Sequence, residues 1–592
     1  MGSHAGTFFF DMRPTTTGER GIVIAGDSCA TTSGLTIAWD GRLDNRDDLL
    51  LQLGGAVTSA ATDQAFACTV FRRWGIEGLR RLAGEWSLAL WDRERRTLHL
   101  ARDYAGARPL YYCAGERSVM WSSDLGELAD RSGRSNVLSA VFPAAFMTLR
   151  YSSEITPYEG VHAVPGAACI TFTTETGKAA KVFTYWTPDG SSIRYRDARQ
   201  YEEHLQSLWS SAVRARLRGD EIVWAHLSGG LDSSAVVCMA DSLIKGGAAD
   251  ASQLRTVSHV TLESPEGDER RFIAEVEART GVRSDILGVE KHHDLEDESL
   301  MWITPFCARG VSLATARHVL ERGGRTLLSG HFGDNVMGCD ADNSVAVWDD
   351  IADGRWRHAI AKLRRWSRST RKPIWEIAHR VASAGLSDTV AEPIDLAFDG
   401  RSMLTPALQR LVPRCARLDL RSISPSKRDL AASVVLHARE SQLDIPIQPR
   451  GIALAYPFLD RRLVEFALAI PGEQLSAPGE TRALMRRAFD GLVPARILRR
   501  ISKGYYPPSL TRAARVRAAS MRPVDRLEVV QRGWVNGAAL DRAIGMLVDG
   551  GSAGREVRRV LRLEEWLRAR HRRGPATIPR RKEVTTDEVL NA

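Results

Sequence analysis

The sequence predicts an α/β protein in two parts. A strand-rich α+β domain comes first, followed by an α/β domain built on a parallel sheet with helical additions. Three observations predict this. At 592 residues the chain is too long for a single core. Up to about residue 185, short apolar runs such as Leu35–Trp39, Ser87–Trp91 and Leu98–Ala101 alternate with Gly, Asp and Asn turns, the texture of antiparallel strands. Beyond it, strand, glycine turn and helix recur in that order, which implies parallel strands with helices on both faces.

Taken along the chain, residues 5–186 form the first domain. Thr187-Pro188-Asp189-Gly190-Ser191-Ser192 is a turn cluster and the expected linker. The second domain is expected over 198–575. It opens with a helix around Tyr201–Leu217, an apolar strand Ile222–Leu227, a Gly/Ser turn and a helix Ser234–Ile244. Further strands are expected at Arg255–Thr261 and Thr326–Leu328, the latter before a second glycine turn. Residues 341–430 are Trp-, Arg- and Ala-rich with a helical pattern, and 576–592 read as a disordered tail. No internal repeat is visible.

With 44% hydrophobic and 26% charged residues the composition is that of a soluble globular protein. No run approaches the ~20 apolar residues that span a bilayer. Met1-Gly2-Ser3-His4 reads as the remnant of an expression tag, and a cytoplasmic location is expected. The cysteines at 29, 68, 113, 169, 238, 307, 339 and 415 form no C-x-x-C pair and read as free thiols in a reducing compartment. A net charge of +9 is concentrated in part between Arg555 and Lys582. With few aromatics there and no zinc-finger or RNP signature, this run reads as a solvated helix face rather than a nucleic-acid site.

Ser228-Gly229-Gly230-Leu231-Asp232-Ser233-Ser234 lies between an apolar strand and a helix. Glycines let the backbone approach a ligand, the helix N-terminus presents unpaired N–H groups to an anion, and the serines add donors. No G-x-x-x-x-G-K-[ST] occurs, so this is not a Walker loop. It resembles the SGGxDS pyrophosphate loop of the ATP-pyrophosphatase superfamily. Ser329-Gly330-His331-Phe332-Gly333-Asp334-Asn335 is similar to the SGEGxDE loop of asparagine synthetases, with His331 and Asn335 in place of its two glutamates. Tyr456-Pro457-Phe458-Leu459-Asp460 resembles the family's R-x-PFLD segment, with Ala455 where the Arg would stand. The order Leu484–Ala488, Val493-Pro494, Arg500–Gly504 follows the family too.

The resemblance implies ATP on Leu227, Ser228, Gly229, Gly230, Asp232, Ser233 and Ser234, with Ser258 and Gly330 nearby. It implies Mg²⁺ on Asp232 and Asp334, whose carboxylates suit a hard cation, and Lys503 as the cation that neutralises phosphate and the collapsing tetrahedral intermediate. His331 stands three residues before Asp334, where β-lactam synthetases carry the Tyr of a Tyr–Glu pair. An imidazole there would orient or deprotonate an amine, with Glu440 as the expected partner.

Gly84–Asp92 and Ala101–Tyr112 look like the class II glutamine amidotransferase domain, which hydrolyses glutamine with an N-terminal Cys. Here Ala5 follows the tag-like residues and the first Cys is Cys29. The family's N-G-E-x-x-N is Asp40-Gly41-Arg42-Leu43-Asp44-Asn45, and a carboxylate at Asp40 cannot donate to an oxyanion. The first domain therefore reads as a degenerate glutaminase kept as scaffold. A live synthetase beside a dead glutaminase resembles the lasso-peptide cyclases and the β-lactam synthetases. The lasso cyclase is expected, because the stretch 341–430 would build a wider cavity and the positive charge would suit an acidic peptide. That reading implies a precursor peptide as substrate, with a leader-binding module and a leader peptidase as partners. A β-lactam synthetase-like enzyme, an amine- or ammonia-dependent asparagine synthetase-like enzyme and a non-catalytic scaffold are the alternatives.

Overall fold

The computed structural model describes residues 34–115, 118–150, 152, 154–173, 181–261, 267–292, 295–306, 310–338, 342–386, 400–414, 420–437, 451–500, 515–550 and 554–573. It adds the backbone of 5–9, 22–25, 29–32, 179–180 and 438–444; the side chain of Glu298 stands outside the description. The expected 576–592 tail lies outside the described residues.

The first domain is a pair of antiparallel sheets. Its strands are β1 (Ala5–Phe9), β2 (Ile22–Ala25), β3 (Cys29–Thr32), β4 (Leu35–Leu43), β5 (Gly84–Asp92), β6 (Thr97–Arg102), β7 (Tyr111–Ala114), β8 (Ser118–Ser122), β9 (His162–Ala163), β10 (Ala168–Thr173) and β11 (Ala179–Thr184). One sheet runs β2-β1-β8-β7-β9 and the other β11-β10-β6-β5-β4-β3. Period-two alternation sorts the faces of the second sheet. Ala38, Ala89, Leu98 and Leu100 turn inward against Val119 and Trp121 of the first sheet. Ile37, Trp39, Leu88 and Leu90 turn outward onto Phe66 and Val70 of α1 (Asp63–Trp74).

The second domain holds β12 (Ile222–His226), β13 (Gln253–Val260), β14 (Ser284–Gly288), β15 (Thr326–Leu328) and β16 (Ala453–Ala455), all parallel in the order β14-β13-β12-β15-β16. In β12, Val223 and Ala225 pack on one side and Trp224 on the other. Burial on both faces is why this strand reads as a continuous apolar run. Its helices include α2 (Ala198–Arg216), α3 (Leu231–Lys245), α4 (Arg270–Thr280), α5 (Gly333–Met337), α6 (Trp356–Thr370), α7 (Ile374–Leu386), α8 (Arg428–Asp444), α9 (Arg461–Ala469) and α10 (Gly554–Arg572). None of the described helices is long and apolar enough to cross a membrane.

The Trp- and Arg-rich stretch carries the helical hairpin of α6 and α7. α6 and α7 pack through Ala359, Trp366, Ile377 and Val381 and leave Trp356 and Trp375 exposed. The basic run of α10 is in part an interdomain clamp rather than a solvated face. Its buried Trp566 meets Phe142 of the first domain at 5.8 Å between ring centroids, and Arg573 pairs with Asp130 at 2.6 Å. A single apolar cluster also runs across the domain boundary, joining Trp39, Trp86 and Tyr185 to Trp209 and Phe458.

Candidate active site

The site forms where β12 and β15 end. β12 delivers Leu227 and the loop that opens α3. Gly230 stands at the N-cap and makes no side-chain cap bond, an arrangement that suits the first-turn N–H groups to an anion. Gly229 adopts φ 71° and passes so close to Phe272 that a Cβ would sit 2.6 Å from that residue's Cβ. Ser233 ties the loop: its Oγ accepts from the Ser228 N–H at 3.1 Å and meets the Ser228 Oγ at 2.9 Å. Ser234 is fully buried one residue on.

Ser258, expected on the nucleotide, is 1% exposed, and its hydroxyl donates to the Leu227 carbonyl at 2.6 Å and meets Ser284 Oγ at 2.7 Å. It fixes the strand end from which the loop departs.

β15 delivers the second loop. The Ser329 N–H donates to the Ala455 carbonyl at 2.9 Å, so this loop starts in register with β16. Phe332 carries φ 69°, strained for a residue with a Cβ. The two loops touch through glycine. A Cβ on Gly330 would lie 2.6 Å from the Ser233 nitrogen, and one on Gly333 would lie 2.5 Å from Asp232 Cγ. This contact brings Asp232 and Asp334, 102 positions apart in sequence, to one place.

Arg482 shows how close they come. Its guanidinium donates to Asp232 Oδ1 at 2.8 Å and Oδ2 at 2.9 Å and also pairs with Asp334. Asp334 does not cap α5, whose N-terminus has no side-chain cap bond. Arg482 is 8% exposed and sits at φ 54°. A group of charge +1 thus stands between the two carboxylates that the sequence assigns to Mg²⁺. The donor set fits that ion: two hard oxygen ligands from the protein leave positions for phosphate and water, as Mg²⁺ prefers. Among the described residues no cluster of three or more His, Cys, Asp and Glu offers an all-protein cage instead.

On the far side of Asp334, Phe332 gathers an aromatic group. His331, His437 and Tyr456 have ring centroids 4.3, 4.1 and 5.3 Å from Phe332. His331 is exposed, with its ring 6.3 Å from Tyr456. Burial, with help from the charges of His331 and Arg102, pushes His437 down to about 3, so it is neutral at working pH. Sequence reasoning missed Arg482 and His437. His437 lies three residues before Glu440 on α8, hence on the same helix side. The Glu440 side chain lies outside the described residues, as does Lys503. Arg500, three positions before Lys503, donates to the Gly229 carbonyl at 3.1 Å, so the chain enters that segment at the phosphate loop.

The domains meet through buried charge. Arg216 of α2, with a fully buried side chain, lies 3.3 Å from Asp44, 3.1 Å from Glu85 and 3.5 Å from Asp460. Arg42 pairs with Asp44 at 2.8 Å and Glu85 at 3.0 Å. Burial alone would raise both acids, but Arg42 and Arg216 hold them below the usual carboxylate range. A pocket of about 400 Å³ opens beside this network, lined by Asp40, Arg42, Asp63, Arg108 and Arg218 among others.

The family model described as asparagine synthase matches residues 204–568, and that of a glutamine amidotransferase domain matches 29–186. The chain is 24% identical to asparagine synthetase [glutamine-hydrolyzing] 3 of Bacillus subtilis, over 80% of this chain and 75% of that protein. It is 24% identical to a putative asparagine synthetase [glutamine-hydrolyzing] of Mycobacterium bovis, over 79% and 73%. It is 27% identical to amidase chry2 of Gibberella zeae, over 40% and 36%. With one model covering more than half its length, the chain belongs to the asparagine synthase family and is an ATP-dependent, AMP-forming carbon–nitrogen ligase.

Proposed function

We propose that the carboxylate activated here is an Asp or Glu side chain of a peptide. The attacking amine is that peptide's own N-terminus, and the product is a lasso-peptide macrolactam. The observation that supports this most is the state of the first domain's pocket. Asp40, which aligns with the family's oxyanion-hole Asn, lines this pocket, and the neighbouring Arg42 is committed to Asp44 and Glu85. Glutamine hydrolysis is then no source of nitrogen, and the amine comes with the substrate.

ATP supplies the adenylyl group that makes the carboxylate an electrophile, and a Mg²⁺ held by Asp232 and Asp334 would draw charge from the leaving pyrophosphate. The N–H groups at the start of α3 would hold the phosphates. His331, exposed on the rim beside Tyr456, orients the incoming amine and takes its proton; neutral His437 and Phe332 fix that rim without adding charge. Lys503 supplies positive charge to the phosphate and the tetrahedral intermediate. The precursor peptide, a leader-binding module and a leader peptidase are the partners this reading calls for.

The relatives are named asparagine synthetases, which favours a second reading, a synthetase that amidates free aspartate; with glutamine hydrolysis lost, its nitrogen would be free ammonia. Pyrophosphate exchange separates the two. Exchange should depend on a peptide bearing an Asp or Glu, and formation of a product that has lost one water should depend on a free N-terminus within ring-closing reach. Exchange with free aspartate and none with peptides would replace the first reading by the second. In His331→Ala, exchange should persist while ring closure slows by about 10²-fold, with partial recovery as pH rises and free amine accumulates. Unchanged ring closure at neutral pH would remove His331 from the mechanism.

A further inference from the structure

α6 presents an outward face that no described residue covers. Arg357, Ile360, Arg364, Arg368 and Arg371 recur at spacings of three and four, so they share one side of the helix. Ala359 and Trp366 are buried on the opposite side. Trp356 flanks the face at 61% exposed, and Ile360 is 47% exposed. On α7, Ile374 and Trp375 are 43% and 70% exposed. Between 356 and 386 the hairpin carries eight Lys and Arg against one acid, Glu376. Lys362 is spent on Asp350 and Glu473, Lys372 on Asp342 and Glu376, and Arg380 on Asp342. Arg357, Arg364, Arg365, Arg368 and Arg371 have no acidic partner among the described residues.

A solvated helix face needs no exposed tryptophan, and burying Trp and Arg together is the composition of interface hot spots. The face also has a direction. At its far end, Ser369 Oγ lies 3.5 Å from where a Cβ on Gly479 would stand. Gly479 turns the hairpin Ser476–Thr481, whose next residue is Arg482 at the metal carboxylates. From Arg357 to Arg368 the face runs about 17 Å, at 1.5 Å per residue, along a helix whose C-terminal end lies beside that hairpin.

We propose that this face docks an acidic, partly apolar segment of the substrate peptide, with its carboxylates on the arginines and its apolar side chains on Trp356 and Ile360. The proposal rests on the peptide reading of the substrate. The isoleucines decide for a peptide over a nucleic acid: aliphatic groups set among the arginines offer nothing to phosphate or base edges, and they suit leucine-sized side chains.

The test uses the full chain and fluorescence anisotropy. The probes are a fluorescein-labelled peptide of four Glu-Leu-Glu-Ala repeats, its Lys-for-Glu counterpart, and a labelled 16-nucleotide oligothymidylate. Phosphatidylglycerol vesicles are added as competitor. The acidic peptide should bind. Arg357→Glu/Arg364→Glu/Arg368→Glu should weaken it at least about tenfold, and Trp356→Ala several-fold, while ATP affinity and the melting temperature stay unchanged. Equal affinity in the triple variant, or tighter binding of the oligonucleotide or vesicles than of the acidic peptide, overturns the proposal. The readout is independent of ring closure. If the enzyme closes rings and the triple variant keeps the wild-type KM for peptide, the docking face is wrong and the function stands. If no peptide is ever cyclised but the acidic probe binds through these arginines, the function is wrong and the docking face stands.

Discussion

Asp232 and Asp334 face each other across two loops, and Arg482 is what keeps them from repelling. Its backbone is held at φ 54° by an N–H bond to the Gly338 carbonyl at 3.0 Å, a strained conformation that fixes the guanidinium between the acids. Arginine and a divalent cation then compete for the same oxygens. In Arg482→Met the two carboxylates lose the guanidinium that bridges them, and Asp232 is only 8% exposed. The melting temperature should fall in chelator and recover on adding Mn²⁺, because a ligand that binds only the folded state stabilises it. Mn²⁺ affinity without nucleotide, read by electron paramagnetic resonance, should rise at least about tenfold. Arg482→Lys should lie between. No gain in Mn²⁺ affinity and no thermal recovery would mean that Arg482 does not stand in the cation's place.

The two glycine loops are the elements that turn a strand order into a site. Gly333 has no room for a Cβ, which would fall 2.5 Å from Asp232 Cγ, so Gly333→Ala must push α5 away from α3. Pyrophosphate exchange should drop by about 10²-fold, the cost of roughly 1 Å of misplacement, while far-UV circular dichroism stays as in the wild type. Exchange within a factor of two of wild type would show that the loops need not touch. These loops were legible in the sequence because a ligand-facing glycine turn between strand and helix is a local pattern; the strand Thr326–Leu328 has the predicted limits, and β12 differs by one residue. Arg482 was not legible, since its partners are 250 and 148 positions away and an arginine in a basic stretch carries no sign of what it faces. His437 was hidden for the same reason. Which face of α6 and α7 meets water was not legible either, because periodicity finds two faces without saying which one is outward.

At the scale of the whole molecule, the first domain is held by more than apolar contact. Arg216 alone reaches Asp44, Glu85 and Asp460, two acids from the first domain and one from the second. Glu85 also accepts the Tyr456 N–H at 3.3 Å, and Tyr104 donates to the Leu459 carbonyl at 2.7 Å, so the segment that carries Tyr456 to the active-site rim hangs on the interface. Arg216→Met leaves buried carboxylates undercompensated, at a cost on the order of 3 kcal/mol. Asp44 and Glu85 titrate below the usual range in the folded chain, so the stability they contribute is full above about pH 4 and fades as pH falls below it. The gap in melting temperature between wild type and Arg216→Met should therefore be widest near neutrality and narrow below about pH 4. Protease should cut the variant first between residues 187 and 197, and loss of pyrophosphate exchange on mild heating should track that cut, because Tyr456 loses its anchor with the interface. A variant that melts with the wild type at pH 7 would show that the apolar cluster joining Trp39 and Trp86 to Trp209 and Phe458 holds the domains by itself.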